Sequence, residues 1–114
     1  MRKIEAYIKE HRLQEVIERL HVIDGLTGIS IHDIKGFGRI RKNDDEPVRI
    51  VDNTINWIPH VKIEIFCSTE ITDKVIDAIM AGGHTGLRAD GKIYVSPVEE
   101  AIRISTGERG AAAV

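Results

Sequence analysis

The stretch VKIEIFCSTEITDKVIDAIMAGG, Val61 to Gly83, decides the fold. Val61, Ile63, Ile65 and Cys67 fall on one side and Lys62, Glu64, Phe66 and Ser68 on the other, the period-two alternation of a strand with one buried face. At Ser68 the period changes. Ile71, Val75, Ala78, Ile79 and Gly82 mark a helical stripe. Ser68 or Thr69 supplies a capping hydroxyl, Glu70 and Asp73 place carboxylates at the positive end of the dipole, and Gly82-Gly83 ends the helix. Ile93, Tyr94 and Val95 then read as another strand before Pro97. The unit is strand, helix, strand.

Upstream the same order occurs once more. Ile4, Ala6 and Ile8 alternate with Lys3, Glu5, Tyr7 and Lys9. Leu13, Val16, Ile17 and Leu20 follow at helical spacing, with Glu15 and Arg19 one turn apart on the wet side and Asp24-Gly25 as the stop. Gly28 to Lys35, carrying Ile29, Ile31 and Ile34, returns to strand. Two β-α-β halves predict an α+β, ferredoxin-like βαββαβ sandwich: a four-stranded antiparallel sheet with both helices on one face. The open face would carry Tyr7, Phe66 and Tyr94, so it is expected to pack against other copies of the chain. Between the halves, Arg39 to Asn56 holds no period. A loop of that length in a compact domain is a candidate interaction element.

The length of 114 residues suits one domain, and 42% hydrophobic with 30% charged residues suits a folded one. Sixteen basic against eighteen acidic residues give a net charge of −2, and aromatics are 4%, which disfavours both duplex and single-strand nucleic acid as partners. Cys67 is alone, so no internal disulfide or thiolate metal cluster forms and a reducing cytoplasm is expected. No signal-peptide core or spanning segment is visible. The five histidines show no metal-ligand spacing, and no nucleophile-base or paired-carboxylate pattern marks an enzyme.

Two clusters carry chemistry. Lys35-Gly36-Phe37-Gly38-Arg39 sets two glycines beside two cations at a strand exit; it fits a structural bulge or a loop turning N–H groups toward an anion. Thr85-Gly86-Leu87-Arg88-Ala89-Asp90-Gly91-Lys92 fits a tight turn or a second cradle with Lys92 as its point charge. Arg103 is either a third phosphate partner or an outward residue on a short edge strand.

Together with Val61-Lys62-Ile63-Glu64-Ile65, Ile102-Arg103-Ile104 and Thr106-Gly107-Glu108, these clusters resemble the nitrogen regulatory PII signalling proteins, in order and spacing, over nearly the whole chain. The resemblance implies a homotrimer that is not an enzyme, with adenine nucleotide (ATP, ADP or AMP) in clefts between subunits. It also implies a T-loop, about residues 39–57, that docks on a target transporter, enzyme or regulator, and a flexible C-terminal tail, about 106–114. Carried over residue by residue, Gly36, Gly38, Arg39, Gly86, Asp90, Gly91 and Lys92 would lie along the phosphates. Arg103 would reach them from a neighbouring subunit, and Ser30 and Glu64 would fall near the adenine.

Four positions depart from the family's pattern. Ile40 stands where a glutamine helps hold Mg²⁺ and 2-oxoglutarate, His60 replaces a loop-base lysine, Ser105 the second arginine of Arg-x-Arg, and Ala89 the glycine before Asp-Gly-Lys. No Tyr or Ser lies between Arg39 and Asn56. The expectation is therefore a PII-like protein that is not a 2-oxoglutarate-sensing, uridylylated nitrogen sensor. The competing readings are a small ferredoxin-like enzyme acting on a phosphorylated substrate and a structural trimer with degenerate sites.

Overall fold

A computed structural model describes residues 1–36 and 58–114. The elements run β1 (Arg2–Lys9), α1 (Leu13–His21), β2 (Ser30–Gly36), β3 (Ile58–Cys67), α2 (Thr72–Gly83) and β4 (Gly91–Pro97). They form one four-stranded sheet in the order β2-β3-β1-β4, with antiparallel pairing throughout. This is the expected βαββαβ arrangement. The loop expected at 39–57 lies outside the described residues.

The alternation explains the core. Ile4, Ala6 and Ile8 of β1 and Val61, Ile63, Ile65 and Cys67 of β3 are buried, and Val16 and Leu20 of α1 with Val75 and Ile79 of α2 close over them. The helices approach closely because Gly82 has no side chain: a Cβ there would meet the Val16 Cα at 2.8 Å. Substituting alanine would force the two backbones apart.

Three local expectations are corrected. Neither Ser68 nor Thr69 makes a side-chain cap; a 3-10 turn, Thr69–Ile71, precedes α2. The Thr72 hydroxyl, at the start of the helix, donates to the Ser68 carbonyl at 3.1 Å. Helix α1 ends at His21, before Asp24-Gly25, in a turn closed by Ile23 N–H on Leu20 O. The short edge strand offered as one alternative around Arg103 is only a single bridge, Ile102 to Arg109, because the chain turns at Thr106-Gly107.

The open face carries the expected rings. Phe66 and Tyr94 are about half exposed (48% and 55%), and Tyr7 meets Tyr94 edge to face at 6.0 Å. It also carries an ion lattice that alternation alone did not show. Lys3 reaches Glu5 at 3.3 Å and Glu64 at 3.6 Å, and Lys62 reaches the same two carboxylates at 3.3 and 3.9 Å. The register explains it, since Glu5 stands opposite Glu64 and each lysine lies one row away. The Tyr7 hydroxyl donates to Glu5 at 2.7 Å. That bond first, then the one from Lys3, holds the Glu5 carboxyl at about 2, below its ordinary 4.5.

Candidate functional site

At one end of the sheet, where β1 finishes and β4 begins, the chain from His84 to Asp90 forms a loop built around one carboxylate. Asp90 accepts the Thr85 N–H at 2.9 Å and the Gly86 N–H at 3.1 Å, pairs with the Thr85 hydroxyl, and binds the Lys9 ammonium at 3.1 Å. The Thr85 hydroxyl first, with the Thr85 N–H next, keeps its carboxyl well below the usual carboxylate range. Both Asp90 oxygens are thus turned into the loop.

Gly86 and Gly91 have φ of +78° and +109°. At Gly91 the requirement is absolute, because a Cβ would lie 1.6 Å from the Tyr7 carbonyl oxygen. Ala89 adopts φ +62° without being glycine. Its carbonyl accepts a hydrogen bond from His60 Nε2–H at 3.2 Å, which ties the loop to the start of β3. Lys92 stands exposed on β4, in register with Tyr7. Gly36 ends β2 opposite Ile58, at the same end of the sheet. Gly38 and Arg39 lie outside the described residues.

A second group lies elsewhere. Ser30 and Glu64 face each other across β2 and β3 and line a cavity of about 490 Å³ together with Gly28, Phe66, Ile102 and Val114. Arg103 follows the cavity-lining Ile102. Its guanidinium donates to the Ala112 carbonyl at 3.2 Å. The stretch expected as a tail folds back through Gly110 N–H on Ala101 O at 3.0 Å and a short 3-10 turn, Gly110–Ala113.

The described residues therefore fall into two sets rather than one pocket. Lys92 belongs to one outer strand and Ser30 to the other, three strand spacings apart, or roughly 14 Å. Sequence reasoning missed Lys9, which no local signal marks, and the organising role of Asp90, for which the Thr85-to-Asp90 spacing is the readable trace. Among the described residues no cluster of His, Cys, Asp or Glu is arranged to hold a metal ion, and no helix is long and apolar enough to cross a membrane.

Fold and site together define a small α+β module with a glycine-and-cation loop at a sheet end. The chain belongs to the nitrogen regulatory protein P-II family, whose description matches residues 1–108. It is 45% identical to the nitrogen regulatory protein P-II of Azospirillum brasilense and 46% identical to that of Rhodospirillum rubrum, each over 114 residues and the full length of both chains. The structure is similar to that of Arabidopsis thaliana PII bound to citrate, with a TM-score of 0.78 and 35% identity over 99% of this chain and 91% of that one. The chain is a PII signal-transduction protein and not an enzyme. Its family comprises trimeric regulators of target proteins that bind adenine nucleotides.

Proposed function

We propose that this chain works as a cytoplasmic homotrimer that binds adenine nucleotides in the clefts between subunits and regulates a partner protein through residues 39–57. The observation that carries this reading is that Ser30 and Gly36 lie on one outer strand and Gly91 and Lys92 on the other. A nucleotide held at its base by Ser30 and Glu64 and at its phosphates by Gly36, Gly86, Gly91 and Lys92 needs the edge of one chain brought against that of another. A cyclic trimer does this three times over. Gly38 and Arg39 add to the phosphate end on the strength of the family pattern, and Arg103 comes from the neighbouring chain.

Asp90 serves this site as a positioning residue. Its oxygens are engaged by Thr85, Gly86 and Lys9, so it shapes the loop rather than meeting the ligand. An anionic carboxylate beside phosphates would be repulsive if free; locked to Lys9 it is neutralised.

The relatives that match are nitrogen regulatory proteins, so any separation from their usual chemistry rests on this chain's own residues. Ile40 offers no oxygen to Mg²⁺, His60 is hydrogen-bonded to Ala89, and residues 40–56 contain no Tyr or Ser to modify. The reading is control by ligand occupancy, with ADP or AMP favoured over ATP and little response to 2-oxoglutarate.

Calorimetry with ATP, ADP and AMP on the purified protein tests it. Saturable binding is expected, weakened about tenfold or more in Lys92→Ala, since a charge-assisted phosphate contact is lost. Adding 2-oxoglutarate should leave ATP affinity almost unchanged. Absence of binding would reduce the protein to a structural trimer, and a clear rise with 2-oxoglutarate would overturn the reading of Ile40 and His60.

A further inference from the structure

We propose that Arg103 latches the C-terminal turn, residues 108–114, and that a ligand phosphate taking the guanidinium releases it. The inference rests on the nucleotide reading above, with Arg103 as the arginine that reaches the phosphates.

Arg103 holds the turn through its backbone and its guanidinium together. Its N–H donates to Glu108 O at 2.9 Å, its carbonyl accepts from Gly107 N–H at 2.7 Å, and its Nη2 donates to Ala112 O at 3.2 Å. The backbone bonds fix the near side of the turn; the guanidinium bond reaches its far side. The other ties on that far side are weak. The Arg109–Glu100 pair at 2.8 Å is exposed, and such pairs contribute little. The Gly110–Ala113 3-10 turn is one short turn, and Gly110 N–H on Ala101 O anchors its first residue only.

The competition favours the ligand. A neutral carbonyl accepts one bond from the guanidinium, whereas a phosphate accepts two charge-assisted ones in the geometry the fork presents. A phosphate that draws the fork toward itself therefore pulls Nη2 away from the Ala112 carbonyl, whose single neutral bond is the weaker of the two. Ala113 and Val114, which the latch carries, line the 490 Å³ cavity with Ser30 and Glu64. Release of the latch therefore removes part of that cavity's wall. If Arg103 serves a neighbour's cleft, each tail reports occupancy of the cleft next to it. It would be a second output, independent of residues 39–57. By linkage, whatever partner binds the released tail must also tighten nucleotide binding.

Timed carboxypeptidase digestion of the full chain, read by mass spectrometry, tests the latch. Saturation with ADP, verified by calorimetry on the same sample, is expected to speed loss of residues 112–114 by about threefold or more. Arg103→Gln, with circular dichroism matching the wild type, is expected to lose them at the fast rate without ligand. Unchanged digestion in the ADP-saturated wild type overturns ligand release. A tail in Arg103→Gln as resistant as the unliganded wild type overturns the latch. If calorimetry shows no ADP binding, the nucleotide reading and ligand release fall together, and the Arg103→Gln arm alone decides whether the latch exists.

Discussion

Among the described residues, Ala89 is the one non-glycine that adopts a left-handed backbone. A φ of +62° brings its Cβ toward the neighbouring carbonyl, a conformation that costs an L-residue about 1–2 kcal/mol and glycine almost nothing. Glycine restores backbone freedom to the unfolded chain, which offsets part of the gain. Ala89→Gly should therefore stabilise the protein by about 0.5–1 kcal/mol in urea unfolding; a loss of stability would show that the Ala89 methyl makes a contact worth more than the strain. That strain was not readable from the sequence. Ala-Asp-Gly-Lys looks like an ordinary turn, and a left-handed alanine is visible only once Asp90 has tied the loop back to Thr85 and Gly86. Gly91 was readable as a turn glycine, but the reason no other residue fits is the Tyr7 carbonyl of β1, more than eighty positions away.

Among the elements, the loop from His84 to Asp90 and the open face of the sheet behave in opposite ways toward the sequence. The loop is local, and its glycines and Asp90 were all singled out; what stayed hidden was the direction of the Asp90 carboxylate. Asp90→Asn keeps the shape but removes the ion pair with Lys9 and one of the strong acceptors. Amide exchange at Thr85 and Gly86 should rise about tenfold or more, because each N–H loses a charge-assisted bond; exchange rates unchanged from the wild type would mean that the loop is held by other contacts. On the open face, alternation showed which residues share a side but not which stand beside each other. The Lys3, Glu5, Lys62 and Glu64 lattice depends on register, and register depends on pairing across fifty to sixty residues. Glu5 is held at about 2 against an ordinary 4.5. Its folded-state value is depressed, so its contribution is present in full above about 4.5 and is lost as the pH falls toward 2. Stability of the wild type should decline through that window, and Glu5→Gln should show a shallower decline measured by urea unfolding at each pH. Equal slopes in the two proteins would remove Glu5 from the acid response. Helix α2 gives the contrasting lesson: its stripe of Val75, Ile79 and Gly82 was legible, while its start was not. A 3-10 turn, Thr69–Ile71, stands where Ser68 and Thr69 advertised a cap.

At the scale of the whole molecule, the fold was legible because two β-α-β units with clean alternation leave few ways to build a sheet. For the candidate site, the sequence marked the glycines and cations of the two clusters, while the assembly between subunits came only from the family resemblance. Lys92 and Ser30 end on opposite outer strands of one sheet, and the proposed function joins them by bringing neighbouring chains together. The account therefore stands or falls on whether Lys92 of one subunit and Arg103 of the next serve a single cleft. Lys92→Ala and Arg103→Ala chains, each weak for ADP as homogeneous trimers, can be unfolded together in equal amounts, refolded and titrated with ADP by calorimetry. If the cleft is shared, random assembly restores both cations in about one cleft in four, and that fraction should bind with wild-type affinity. Mixed trimers with no tight sites at all would contradict a shared cleft and place both cations in one chain's own site.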